Sequence, residues 1–264
     1  DVSPARIDQL YFSARNFARF AGGESASLLD DSRVNRWLQW QSSQGRAPRT
    51  VRSHRCNLLT IWKAGFERGY VKLPPRRVRK VRLDTRIPRC WTPEQFETIL
   101  DAAGRIRGDA QVGIPKRLWL PALCLVGLST GLRRGDLLSL EKSFIQPGYR
   151  VTIVQRKTGD MHTAQFGSRT IAAVEALPKR SGVLLFPWKY RTDAFTKMFS
   201  RLLKRLDLPG SFKWIRRSGA TWIAQRHGVA AASVYLGHRT PGLARQNYID
   251  PSQVTPEVFC PPGA

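Results

Sequence analysis

Thr130-Gly131-Leu132-Arg133-Arg134-Gly135-Asp136-Leu137-Leu138-Ser139-Leu140 is the stretch on which the reading of this chain turns. Arg133 and Asp136 stand three apart, a spacing that on a helix puts the carboxylate one turn from the guanidinium. So placed, the carboxylate holds the arginine in one rotamer for bidentate binding of a phosphate. Toward the C-terminus, residues 151–156 and 161–166 read as two strands around Gly159-Asp160. Lys157, within Gln155-Arg156-Lys157-Thr158-Gly159-Asp160, then lies at an exposed hairpin tip from which it can deliver a proton. Next comes Lys213-Trp214-Ile215-Arg216-Arg217-Ser218, just past Pro209-Gly210-Ser211. That places it near a helix N-terminus, where backbone amides and the helix dipole favour an anion. Lys213 and Arg216 share one face of this helix, and Ile215, Gly219, Trp222 and Ile223 form the core-facing stripe. Last come Leu236-Gly237-His238, a helix stop, and Thr240-Pro241, a new helix start, with Tyr248 near the end of that final helix.

Working back from Thr130, Pro115 opens a long apolar helix through Leu118, Trp119, Ala122, Leu123 and Val126. Before it, Thr92-Pro93-Glu94-Gln95 supplies a cap, a first-turn proline and the third-position glutamine of a capping box. The segment 74–90 has three prolines and no apolar periodicity. It carries Arg76, Arg77, Arg79, Lys80, Arg82, Arg86 and Arg89 against the single acid Asp84, and so reads as a basic linker that follows a polyanion backbone. Residues 1–73 read as three helices. Ser3-Pro4 starts the first, where Ile7, Leu10, Tyr11, Ala14, Phe17 and Ala18 repeat at helical spacing. Val34, Trp37 and Leu38 mark the second. Pro48 opens the third, with Val51, Leu58, Ile61, Trp62 and Phe66, and Gly69 stops it. Arg49, Arg52 and Arg55 lie away from most of the apolar residues of that helix, as expected for phosphate contacts. The expected architecture is mainly α with a small β-sheet: a helical domain over 1–73, the linker, and an α+β domain over 91–264 that includes a C-terminal tail.

Lys and Arg number 44 against 19 Asp and Glu, a formal net charge of +25 over 264 residues. Such an excess calls for a polyanion, and nucleic acid comes first. A membrane surface would need one concentrated basic amphipathic helix, whereas this charge is spread along the chain. No apolar run approaches the roughly 20 residues that cross a bilayer, so the chain reads as soluble. Cys56, Cys90, Cys124 and Cys260 are widely separated, and His54, His162, His227 and His238 do not fall beside them at metal-ligand spacing. The expectation is no structural zinc and reduced thiols in an intracellular, cytoplasmic protein. The start at Asp1-Val2-Ser3, with neither Met nor an apolar signal, reads as a fragment of a longer protein.

In the order Arg133, Lys157, Lys213 with Arg216, Leu236-Gly237-His238, Tyr248, the chain resembles the tyrosine recombinase (phage integrase) family. The resemblance extends to Ala47-Pro48-Arg49-Thr50-Val51, similar to the opening of a core-binding helix, and to Thr92-Pro93-Glu94-Gln95, similar to the entry of a catalytic domain. It implies a site-specific recombinase that cuts and rejoins double-stranded DNA. Tyr248 would be the nucleophile of a 3′-phosphotyrosine intermediate, and Arg133 and Arg216 would hold the nonbridging oxygens. Lys157 would protonate the leaving 5′-oxygen, Lys213 and His238 would complete the clamp, and Asp136 would support Arg133. The resemblance also implies no metal, no nucleotide cofactor, and a homotetramer on synapsed DNA sites. Arg49, Arg52, Arg55, Arg76, Arg77, Arg79, Lys80 and Arg82 would contact DNA.

Two departures stand out. Lys213 takes the place where recombinases usually carry His, and ten positions separate His238 from Tyr248, one more than usual. Lys at this place resembles type IB topoisomerases, so an enzyme relaxing a single duplex is one rival reading and a noncatalytic DNA-binding protein on the same fold is the other. Tyr235 competes for the nucleophile's role, but its apolar neighbours in Ala231-Ala232-Ser233-Val234-Tyr235-Leu236 suggest core packing.

Overall fold

Three helices, each opened by a polar cap or a proline, build the N-terminal part of the chain. In the computed structural model, which describes residues 4–84, 87–238 and 240–254, these are α1 (Pro4–Ala21), α2 (Asp31–Ser43) and α3 (Pro48–Glu67). The expected cap Ser3, together with Arg86 and Cys260, lies outside the described residues. Asp30 accepts the Arg33 N–H at the start of α2, and Pro48 occupies the first turn of α3, where its missing N–H costs nothing. Trp37, Trp62, Val34, Val51 and Leu58 fill the core. Burying each Trp ring contributes at most about 4–6 kcal/mol.

The apolar repeat of α1 does not all turn inward: Phe17 is buried, but Ile7 and Tyr11 are 54% and 66% exposed. Ser13 holds the inner face instead, donating to the Gln9 carbonyl and accepting from Asn57 of α3 at 2.9 Å. A polar seam therefore joins two helices where periodicity alone suggests an apolar one.

The chain divides into two compact units, Asp1–Arg86 and Ile87–Ala264. The segment read as a linker is tied down in its first half. Asp31 accepts the N–H groups of Arg76 and Arg77, Asn35 bonds the Arg77 carbonyl and the Arg79 N–H, and Val78 and Val81 pack against the N-terminal core. Arg55 donates to the carbonyls of Val78 and Arg79 at 2.8 and 2.6 Å.

In the second unit Trp91, fully buried, donates through its backbone to Ser218 and through its indole to the Pro209 carbonyl. Thr92 and Gln95 form the expected capping box at the start of α4 (Pro93–Ala103). A hairpin that the sequence reading missed follows, β1 (Asp109–Gln111) with β2 (Ile114–Pro115). Pro115 thus ends a strand, and α5 (Lys116–Thr130) begins one residue later and runs through the core. After α6 (Arg134–Leu138), β3 (Ile145–Gln146), β4 (Arg150–Val154) and β5 (Met161–Gln165) make an antiparallel sheet in that order. Val151 and Ile153 face inward, opposite Ala164 and His162. Then come α7 (Ser168–Glu175), α8 (Thr192–Arg205), α9 (Lys213–Tyr235) and α10 (Pro241–Asn247). No helix among the described residues is long and apolar enough to cross a membrane.

Candidate active site

The cations singled out in the sequence meet in one cleft of about 480 Å³ in the second unit. Arg133, Lys157, Lys213, Arg216 and Tyr248 all line it, over a floor that includes Leu137, Phe199, Phe212 and Ile215. Arg133 arrives at the N-terminal boundary of α6, Lys157 on the exposed turn between β4 and β5, and Lys213 and Arg216 in the first turn of α9. Tyr248 is the residue that ends α10.

Arg216 is the hub. Only 3% exposed, it donates to the Gly131 carbonyl, to the Leu236 carbonyl at 2.7 Å and to His238 Nε2 at 3.2 Å. With Nε2 accepting, the imidazole proton sits on Nδ1, which is buried with no partner among the described residues. Burial, reinforced by Arg216 and Arg133, lowers the pKa of His238 to about 4, so the ring is neutral at pH 7. The Tyr248 ring centre lies 5.0 Å from that of His238, 5.0 Å from the Arg216 guanidinium carbon and 5.3 Å from Lys213 Nζ. Burial alone would raise the Tyr248 pKa, but Arg216, Lys213 and Arg133 outweigh it and hold the phenol below its ordinary value. Partial burial likewise holds Lys213 below the usual lysine range, against the opposing pull of Tyr248.

Asp136 requires a correction. It does not pair with Arg133, because Arg133 stands outside α6 in extended conformation rather than one helical turn from the carboxylate. Asp136 is buried and accepts the Arg156 N–H at 3.2 Å, so it anchors the backbone next to Lys157. The partner of Arg133 is Gln155, a residue the sequence reading passed over. Fully buried, Gln155 accepts from Arg133 and donates to the Leu236 carbonyl at 3.4 Å, linking the β4–β5 turn to the stop before His238. Its place in the Gln155-Arg156-Lys157 run is the one sequence signal that could have found it.

Gly237 makes this approach feasible. It has φ +59°, and a Cβ there would lie 2.4 Å from Gln155 Nε2 and 2.8 Å from His162 Nδ1. Gly219 plays a similar part for the core, since its Cβ would fall 2.1 Å from the Tyr235 hydroxyl. Tyr235 donates to the Leu128 carbonyl at 2.7 Å, and burial raises its pKa. It packs as a core residue outside the cleft lining, as its apolar neighbours suggest.

In the N-terminal unit Arg49, Arg52, Arg76, Arg77, Arg79, Lys80 and Arg82 carry exposed side chains, whereas Arg55 is partly buried and bound to backbone.

The model of the phage integrase family matches residues 89–254, and the chain belongs to that family; it is a tyrosine recombinase. Solved structures share the fold. A lambda integrase dimer bound to a COC′ core site is 15% identical with a TM-score of 0.77, covering 99% of this chain and 76% of its own. A lambda integrase tetramer bound to a Holliday junction is 16% identical with a TM-score of 0.72, covering 91% and 73%. XerH site-specific recombinase bound to palindromic difH substrate, in a post-cleavage complex, is 18% identical with a TM-score of 0.68, covering 94% and 74%. No curated protein sequence matches the chain.

Proposed function

We propose that Tyr248 attacks a backbone phosphodiester of duplex DNA held by Arg133 and Arg216. Tyr248 loses its phenol proton to solvent, its oxygen bonds to phosphorus, the bond from phosphorus to the 5′-oxygen breaks, and Lys157 gives that leaving oxygen a proton. A 3′-phosphotyrosyl ester remains, and a 5′-hydroxyl from another end reverses the step. The ester conserves the energy of the phosphodiester, so resealing consumes no nucleotide. Arg216, Arg133 and Lys213 favour the phenolate before attack and meet the charge that develops on phosphorus afterward. His238, neutral beforehand, completes the clamp from behind, accepting from Arg216 through Nε2 and packing beside the Tyr248 ring. Lys213 fills by charge the role that the family usually gives to His.

The observation that carries this reading is the Tyr248 ring set within about 5 Å of Arg216, Lys213 and His238. Asp136 acts through the Lys157 turn, and Gln155 through Arg133. The exposed cations of residues 49–52 and 76–82 would grip the flanking duplex. Assembly as a homotetramer on two paired sites follows from the need to exchange strands between duplexes. A DNA substrate fits work inside the cell, in the cytoplasm.

A nicked substrate that loses its short leaving strand traps the intermediate. The DNA-linked peptide should contain Tyr248, and Tyr248→Phe should bind DNA without forming an adduct. An adduct mapped to Tyr235, or one surviving in Tyr248→Phe, would overturn the assignment.

A further inference from the structure

The face of α8 turned away from the cleft borders a groove of about 800 Å³ that takes no part in this chemistry. Helix geometry separates the two faces. At about 3.6 residues per turn, Thr196 and Ser200 of the cleft sit roughly half a turn from Ala194, Met198, Arg201 and Arg205 of the groove. Buried Phe195 and Phe199 fix the helix between them.

Arg105, Arg107, Lys116, Arg201 and Arg205 contribute to the groove walls, and no carboxylate does. None of the ion pairs recorded among the described residues involves any of the five. Arg201 and Arg205 stand one helical turn apart, where like charges repel. Tyr190, exposed in the groove wall, already has Lys116 and Lys189 each 5.1 Å from its ring centre, and its ring lies 5.0 Å from that of Trp188. The rings are thus engaged with one another and with lysines, and what remains on offer is an array of unneutralised cations. Such an array costs stability unless an anion covers it.

We propose that this groove holds the phosphate backbone of a second DNA duplex, separate from the one in the cleft. The inference rests on the reading that the cleft acts on DNA, and it adds that each catalytic unit grips a further duplex through the opposite face of α8. Guanidiniums spaced along a groove suit a repeating phosphate backbone.

The test uses the full chain trapped as its covalent adduct on the nicked substrate, so that the cleft is filled. A second, fluorescent duplex of unrelated sequence is then titrated by anisotropy at two salt concentrations. The adduct should bind it, with affinity falling as salt rises. The double variant Arg201→Glu/Arg205→Glu should form adduct at the parental rate and bind the second duplex at least about tenfold more weakly. An adduct that binds no second duplex, or a double variant that binds it equally well, overturns the proposal. So does weakened binding of an acidic peptide with duplex binding unchanged. If the parent forms no adduct, the reading of the cleft fails instead. The number of duplexes held per unreacted chain then still decides the groove: about two are expected, and about one in the double variant.

Discussion

Arg216 and Arg55 both give their donors to backbone carbonyls, one in each unit, yet to opposite ends. Arg216 is buried, and the carbonyls of Gly131 and Leu236 aim its guanidinium beside Tyr248. There the backbone orients the cation. Arg55 is partly exposed, and its guanidinium holds down the strip containing Val78 and Arg79. There the cation orients the backbone. An arginine's part in phosphate chemistry therefore depends on which partner is fixed by the core, and abundance of positive charge does not reveal it.

The contrast breaks most visibly at Arg216. Arg216→Ala should slow single-turnover cleavage of the nicked substrate by about 10²- to 10³-fold, the loss expected when a preorganised donor to a developing charge is removed. The buried Gly131 carbonyl also loses its side-chain donor and the Leu236 carbonyl keeps only Gln155, so denaturant unfolding should show a loss of about 1–3 kcal/mol. Arg216→Lys keeps the charge without the planar fork and should recover little activity. Parental cleavage by either variant would mean that the buried arginine is structural only.

A smaller effect sharpens the electrostatic side. Because Arg216, Lys213 and Arg133 together hold the Tyr248 pKa below its ordinary value, the cleavage rate should climb with pH through that depressed pKa and level off once the phenolate dominates. Removing a cation weakens the depression, so Lys213→Met should move the rise to higher pH. At neutral pH it should lose about tenfold in rate for each pH unit moved. A profile with an unmoved midpoint would leave Lys213 as a phosphate donor alone.

The smallest effects separate Arg55 from its neighbour Arg52. Arg52→Ala should leave unfolding unchanged, weaken duplex binding evenly across sequences and reduce the salt slope by about one. Arg55→Ala should instead cost about 1 kcal/mol in unfolding, through the loss of its bonds to the Val78 and Arg79 carbonyls. Identical behaviour of the two variants would erase the distinction.

Much of the fold is legible in the sequence because its signals are local. Thr92 and Gln95 satisfy each other within one turn, Pro48 needs only its own missing N–H, and Gly237 stops a helix by adopting a backbone few other residues tolerate. The cleft is legible for a different reason: Lys213, Arg216, His238 and Tyr248 stand in a recognisable order. What escaped depends on distant partners. Three-residue spacing suggested that Asp136 serves Arg133, but an extended residue at position 133 turns the guanidinium toward Gln155, 22 positions on. Ser13 facing the core follows from Asn57, 44 positions away, which no period in α1 encodes. The β1–β2 hairpin is too short to show alternation.

Asp250, two residues past Tyr248, is 3% exposed, and its carboxylate accepts the Cys90 N–H at 3.2 Å while its own N–H is held by Thr221. The stretch carrying Tyr248 is thereby fastened to the opening residues of its own unit, on the same polypeptide as Arg133 and Arg216. On the proposed roles, one chain then supplies both Tyr248 and the arginines that serve it. In a mixture of Arg216→Ala and Tyr248→Phe chains neither should rescue the other, and single-turnover cleavage should be no faster than with either variant alone.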